Sequence, residues 1–257
     1  MNAQRRKALA EKLDAAARDA RAIPQLSSEV ELSIGEAYAL QAATIERRLG
    51  RGEEMVGVKM GFTSRAKMLQ MGVSDVIWGR LTSGMRVEDG GAVDVAARIH
   101  PRIEPEVAFL LGAPLSGPVS PAEAALAVSA VAPAMEIIDS RYVAFRFSLP
   151  DVIADNASAS GFVIGPWCDP HLDLANLGMV MEVDGVPMQI GSTGAILGHP
   201  LRSLAAASRL AAEHELELEP GWIVLAGGAT AAVPLEPGRH VRLVAEQLGR
   251  VQIVASR

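Results

Sequence analysis

The sequence predicts an α+β fold with mixed, mainly antiparallel β-sheets and a helical N-terminal region, on three observations. Residues 3–22 and 33–49 carry helical patterning, and from about residue 54 short β-like runs bounded by Gly- and Pro-containing turns take over. The alternation of strand and helix beyond that point is too irregular for a doubly wound parallel sheet. The expected division is an N-terminal helical cap over residues 1–53 and a β-rich body over residues 54–257, as two units or as one compact one.

The second helix opens with Ser33-Ile34-Gly35-Glu36, where a Ser side chain and a Glu three residues later can satisfy exposed backbone donors. Met55–Met60, Glu106–Leu111 and Trp222–Ala226 read as strands. Met179–Val183 and Val186–Ile190 flank Asp184-Gly185, a pair that accepts the positive φ angles of a two-residue hairpin turn. Leu243–Glu246 and Arg250–Val254 around Leu248-Gly249 form a second hairpin candidate. Helices start at Ser120-Pro121-Ala122-Glu123 and over Pro200–His214, each with Pro in its first turn. No repeat, low-complexity segment or linker interrupts the chain after residue 54.

Net charge is −6, and Arg and Lys form no stripe interleaved with aromatics, which argues against nucleic acid as a partner. The basic start at Arg5, Arg6 and Lys7 is followed by Glu11, Asp14 and Asp19 where an export signal needs apolar residues. The longest apolar run, Ala124 to Met135, contains Ser129 and Pro133 and falls short of the ~20 residues that span a bilayer. One cysteine, Cys168, suits a reducing compartment. The expectation is a cytoplasmic protein that is not embedded in a membrane.

Ile103-Glu104-Pro105-Glu106-Val107 places two carboxylates two residues apart, and on a strand such residues share a face. Side by side they repel, so one takes a proton or a cation sits between them. Glu136 lies among apolar neighbours in Ala134-Met135-Glu136-Ile137-Ile138, and an unpaired buried carboxylate is costly. Three convergent carboxylates suit a hard cation such as Mg²⁺ or Mn²⁺. Spacing alone also fits a plainer arrangement, with Glu104 and Glu106 on a solvated strand edge and Glu136 paired to an arginine.

The surrounding text changes that balance. Gly57-Val58-Lys59-Met60-Gly61, Ile99-His100-Pro101-Arg102-Ile103-Glu104-Pro105-Glu106, Glu136-Ile137-Ile138-Asp139-Ser140-Arg141-Tyr142, Ala154-Asp155-Asn156-Ala157-Ser158 and Leu197-Gly198-His199-Pro200-Leu201 occur in that order. From about Lys59 onward the chain resembles the 4-oxalocrotonate decarboxylases and their sister 2-hydroxypenta-2,4-dienoate hydratases, within the fumarylacetoacetase-like superfamily. The resemblance implies the fumarylacetoacetase C-terminal-like fold and a Mg²⁺ or Mn²⁺ site on Glu104, Glu106 and Glu136. It further implies a substrate-facing Lys59, a small 2-oxo dicarboxylic acid as substrate, oligomerisation and association with the partner hydratase.

Within the superfamily, hydrolases usually carry Asp as third ligand, where this chain has Glu136. Hydratases tend to show Asp-Phe-Gly where it has Ile77-Trp78-Gly79. Asp75, two residues earlier, could in principle supply the missing acid. Met68-Leu69-Gln70-Met71-Gly72-Val73 and Gly227-Gly228-Ala229-Thr230-Ala231-Ala232-Val233-Pro234 also look like the decarboxylase version. The expected activity is therefore metal-dependent decarboxylation of 2-oxohex-3-enedioate. The hydratase is the first alternative and a non-catalytic metal-stabilised domain the second.

Ile77, with Trp78, is expected to give an apolar wall near the leaving carboxylate. Asn156, Ser158 and Thr230 are candidates to orient substrate oxygens, although Asn and Ser also close ordinary turns. Arg141 is expected to brace the Glu136 segment, and His199 to start a helix. Met68, Met71, Trp78 and Trp222 read as core or pocket wall.

Overall fold

The computed structural model describes residues 1–64, 68–69 and 75–257. Helices α1 (Ala3–Arg18) and α2 (Ile34–Leu49) form the N-terminal pair. The capping box at Ser33 is present: the Glu36 N–H donates to Ser33 Oγ and the Ser33 N–H donates to Glu36 Oε2. α1 ends earlier than its sequence pattern predicts. Ala20 takes φ +48°, the Arg21 N–H turns back to the Ala16 carbonyl, and Ile23 leaves to bridge with Tyr142.

The body comprises β1 (Met55–Gly61), β2 (Ile77–Thr82), β3 (Arg86–Val87), β4 (Ala92–Asp94) and β5 (Arg102–Leu111), then α3 (Pro121–Leu126) and β6 (Val128–Ile138). It continues through α4 (Leu149–Ala154), β7 (Ala159–Ile164), β8 (Gly178–Val183), β9 (Val186–Ser192) and α5 (Pro200–Ala212). β10 (Ile223–Leu225), β11 (Val233–Pro234), β12 (His240–Ala245) and β13 (Gly249–Ser256) complete it. Among the described residues one sheet runs β2-β1-β10-β5-β6-β7-β3 with β11 also on β5, and the other runs β4-β13-β12-β8-β9. The pairs β1/β10, β3/β7 and β4/β13 are parallel and the rest antiparallel, which is the mixed, mainly antiparallel α+β architecture expected.

Both hairpins form, the first through Asp184 and Gly185 at φ 52° and 79°. Two strands go beyond the sequence pattern: β5 starts at Arg102, before Glu106, and β6 runs through Pro133. Each proline fits because its missing N–H is not needed by the β5–β6 ladder. The Pro105 carbonyl accepts from the Ala229 N–H, and the Pro133 carbonyl from the Gly165 N–H, so both prolines turn their backbone groups away from that ladder.

The helix pair joins the core of the body. Leu9, Leu13 and Leu40 belong to one buried cluster with Trp78, Val107 and Met135. The Gln41 amide donates to the carbonyls of Trp78 and Ile153, tying α2 to β2 and α4. Among the described residues no helix is long and apolar enough to cross a membrane.

Candidate metal centre

Antiparallel pairing of β5 and β6 makes Glu104 and Glu136 register partners, and Glu106 follows on the same face opposite Ala134. Each glutamate offers one oxygen, and these three oxygens lie within 4.8 Å of one another. All three residues are buried. Glu106 Oε1 and both oxygens of Glu136 lack a hydrogen-bond partner. Buried carboxylate oxygens crowded together, three of them without a hydrogen-bond partner, are the donor set a hard divalent cation takes, so the residues present fit Mg²⁺ or Mn²⁺.

Lys59 reaches the cluster from β1. Its Nζ lies 2.8 Å from Glu136 Oε2. That contact is an ion pair. Nζ also donates to the Ala157 carbonyl at 3.0 Å. Burial pulls the Lys59 ammonium down, but Glu136, Glu104 and Glu106 more than offset it, and the net direction is upward. Burial pushes Glu136 up to about 7 against the opposing pull of Lys59. Burial, then Glu136 and Glu104, push Glu106 well above the usual carboxylate range. Glu106 and Glu136, both raised by burial, gain from a nearby positive charge, which a divalent cation would supply.

The glycine pair after β10 is fitted to the acids. The Gly227 N–H donates to Glu106 Oε2 at 2.7 Å, and a Cβ on Gly228 would stand 2.6 Å from Glu104 Oε2. On the other side, Asn156, Ala157 and Ser158 take φ of 52°, 50° and 60° in succession. Such a run of left-handed non-glycine residues is costly and is a feature of functional sites. It aims the Ala157 carbonyl at Lys59 and places Ser158, whose buried Oγ has no hydrogen-bond partner, on a cavity wall.

That cavity, about 310 Å³, lies over the cluster, with Lys59, Glu104 and Ser158 at its polar end and Ile77, Ile138 and Phe147 among its apolar lining. Ile77 arrives there by strand periodicity: Lys59 pairs with Gly79 and Gly61 with Ile77, so Ile77 shares Lys59's face. Trp78 therefore points the opposite way, where it stacks on Tyr38 at 5.5 Å and is core. Of the two readings for Trp78, core or pocket wall, the structure bears out the core.

Two other candidate side chains are spent elsewhere. Asn156 Oδ1 accepts from the Arg80 N–H and its Nδ2 donates to the Arg80 carbonyl, bracing the turn on β2. Thr230 donates to the Ala231 carbonyl and does not line the cavity, although Ala231 and Ala232 do. Asp75 is held outside by Arg209 at 2.8 Å and does not replace an acid at Ile77. Arg141 pairs with Asp155 and donates to the carbonyls of Asp139 and Ala159, bracing the end of β6 as expected. His199 caps α5 by accepting from the Leu201 N–H. Met71 and the Gln70–Val73 part of its motif lie outside the described residues.

Sequence reasoning passed over Arg102, Ile138, Phe145 and Phe147, which also line the cavity. Arg102 and Ile138 stand two residues from Glu104 and Glu136, so strand periodicity could have found them. Phe145 sits in an irregular segment with φ +57°, for which no local pattern gives a signal.

Residues 56–254 match the model of the fumarylacetoacetate (FAA) hydrolase C-terminal family. The chain belongs to this family. It is 58% identical over 241 residues to a 4-oxalocrotonate decarboxylase of a Pseudomonas species, with 94% of each chain covered. It is 34% identical to a 2-hydroxyhexa-2,4-dienoate hydratase of Comamonas testosteroni, over 95% of this chain and 94% of that one. Among solved structures, the fold matches a 4-oxalocrotonate decarboxylase from Pseudomonas putida G7, complexed with magnesium and adipate. The TM-score is 0.97 at 38% identity, covering 99% of this chain and 98% of the other. Family membership thus agrees with the fold that the ordered motifs imply.

Proposed function

We propose that this chain is a metal-dependent decarboxylase that converts (3E)-2-oxohex-3-enedioate to 2-hydroxypenta-2,4-dienoate and CO₂. The observation that carries the reading is the pairing of a buried Glu104–Glu106–Glu136 cluster with an apolar residue, Ile77, at the cavity wall. The 58% identity to a 4-oxalocrotonate decarboxylase supports it.

In the reaction the C5–C6 bond breaks and CO₂ leaves. Its electron pair forms C4=C5, the C3=C4 pair moves to C2=C3, and the 2-oxo oxygen takes the negative charge, then a proton from water to become the 2-hydroxyl. A divalent cation held by Glu104, Glu106 and Glu136 supplies, when bound, the positive charge that stabilises that oxygen. Lys59, buried and kept protonated by the glutamates, adds a second positive charge beside them. Ser158 Oγ, without a hydrogen-bond partner at the wall, is free to donate to a substrate oxygen. Ile77, Ile138 and Phe147 keep water and acids away from the departing group, and the low polarity favours conversion of a carboxylate into neutral CO₂.

The product dienol suits direct transfer to a hydratase, and this reading includes such an association, in the breakdown of aromatic ring-cleavage products in the cytoplasm. The single cysteine, which permits no internal disulfide, accords with that compartment.

The deciding assay supplies 2-oxohex-3-enedioate with Mg²⁺ and follows CO₂ and the dienoate together. Stoichiometric release of both is expected. Hydration of 2-hydroxypenta-2,4-dienoate without any CO₂ from the diacid would replace this reading with the hydratase.

A further inference from the structure

Arg102 stands two residues before Glu104 on β5, so its side chain leaves the strand on the face of the glutamates, ~6.6 Å along it. It lines the same cavity, and its guanidinium lies over the Phe145 ring, 4.9 Å from the centroid. Among the described residues no carboxylate comes within ion-pair distance of it, which is true of other surface arginines too, but Arg102 stands at the cavity that holds Lys59 and Glu104. An exposed arginine steadied by a ring at a cavity wall, with no acid partner among the described residues, is set to receive a carboxylate from outside.

We propose that Arg102 is a specificity-determining residue that receives the far carboxylate of a six-carbon 2-oxo diacid whose 2-oxo end lies at Lys59 and the three glutamates. The inference deepens the decarboxylase reading by naming the group that selects diacids over monoacids. That carboxylate is the departing group, and the apolar wall at Ile77, Ile138 and Phe147 beside it offers no counter-charge, which Arg102 supplies. The same chemistry fixes what Arg102 contributes. It holds a charge present in the bound substrate and lost as CO₂ forms, so its attraction acts on binding and gives nothing to the barrier step. Its exposure to solvent keeps the hold modest, which leaves the carboxylate able to depart.

The test uses the full chain with Mg²⁺ and two inert six-carbon acids, adipate and hexanoate, titrated calorimetrically into the unmodified protein, Arg102→Gln and Arg102→Lys. Gln retains a planar polar end over Phe145 but no charge. The unmodified protein is expected to prefer adipate by about tenfold or more, and Arg102→Gln to lose that preference through weaker adipate binding alone. Arg102→Lys should recover part of it. In turnover, KM for the diacid should rise about tenfold in Arg102→Gln with no fall in kcat. Equal weakening of both acids, or an adipate preference that survives in Arg102→Gln, would overturn the proposal. Absence of CO₂ release by the unmodified protein defeats the decarboxylase reading, while the adipate–hexanoate contrast still decides on Arg102.

Discussion

Glu104 and Glu136 are register partners on adjacent antiparallel strands, two acids directly opposite each other in a buried sheet. Like charges so placed destabilise a sheet unless something compensates them. Lys59 pairs with Glu136. Binding of a divalent cation to the folded state alone should therefore stabilise the protein by about 2.7 kcal/mol at a hundred times its dissociation constant. Thermal unfolding with added Mg²⁺ measures this as a raised Tm. Glu106→Gln keeps an oxygen for the Gly227 N–H, so the fold is expected to persist while the Mg²⁺-dependent rise is lost. A full rise in Glu106→Gln would remove Glu106 from the ligand set.

Lys59 separates the charge it adds to the site from any role in holding metal. Replacing it with Met removes a cation 2.8 Å from Glu136, which should leave Mg²⁺ affinity equal or tighter. Turnover should nonetheless fall by about a hundredfold or more, the loss typical of a preorganised charge at a developing oxyanion. Calorimetric Mg²⁺ titration beside steady-state kinetics reads both. Weaker metal binding together with a proportionate loss of rate would make Lys59 a support for the glutamates and nothing more.

Ile77 lines the cavity wall and is expected to distinguish decarboxylation from hydration. Ile77→Asp places an acid on Lys59's face of β2, where Asp75 does not reach because Arg209 holds it outside. Decarboxylation should drop by at least about tenfold, since an acid there brings water and a proton donor to the group that the apolar wall keeps dry. Hydration of 2-hydroxypenta-2,4-dienoate should become measurable in the same preparation. Unchanged CO₂ release with no gain of hydration would show that position 77 does not set the reaction.

The parts of this site that obey a short period were legible in the sequence. Glu104 and Glu106 sit at strand spacing, and their convergence follows once β5 is extended. The alignment of Glu136 with Glu104 was not legible, because it depends on the register between strands separated by α3, which no local spacing encodes. Thr230 shows the opposite failure. Its neighbours Gly227 and Gly228 do serve the glutamates, but the direction of its hydroxyl is set by loop geometry that one sequence leaves open. The same holds for Asn156, whose amide is consumed by Arg80, and for Phe145, placed by an irregular backbone. The N-terminal helices were readable from their caps, yet their shared core with Trp78 and Val107 is a tertiary fact.

Asp14 offers a test of how α1 is fastened, away from the chemistry. Its carboxylate meets Arg51 at 2.7 Å and Arg47 at 3.1 Å, joining α1 to α2 and the chain just beyond it. Burial works to raise it, but hydrogen bonds from Arg51 and Arg47 prevail and hold it below the ordinary Asp value. A carboxylate depressed in the folded state contributes stability that is present above the unfolded value of 3.8 and is lost as pH falls through the folded one. Because Arg51 is more than a third exposed, solvent screens part of the attraction, so Asp14→Asn should cost about 1 kcal/mol near neutral pH. Urea unfolding of both proteins should show that gap at about pH 7 and its progressive closure below about pH 4, where the unmodified Asp14 also becomes neutral. A gap of constant size across this range would mean that the side chain acts through packing, and that the two arginines hold α1 without help from its charge.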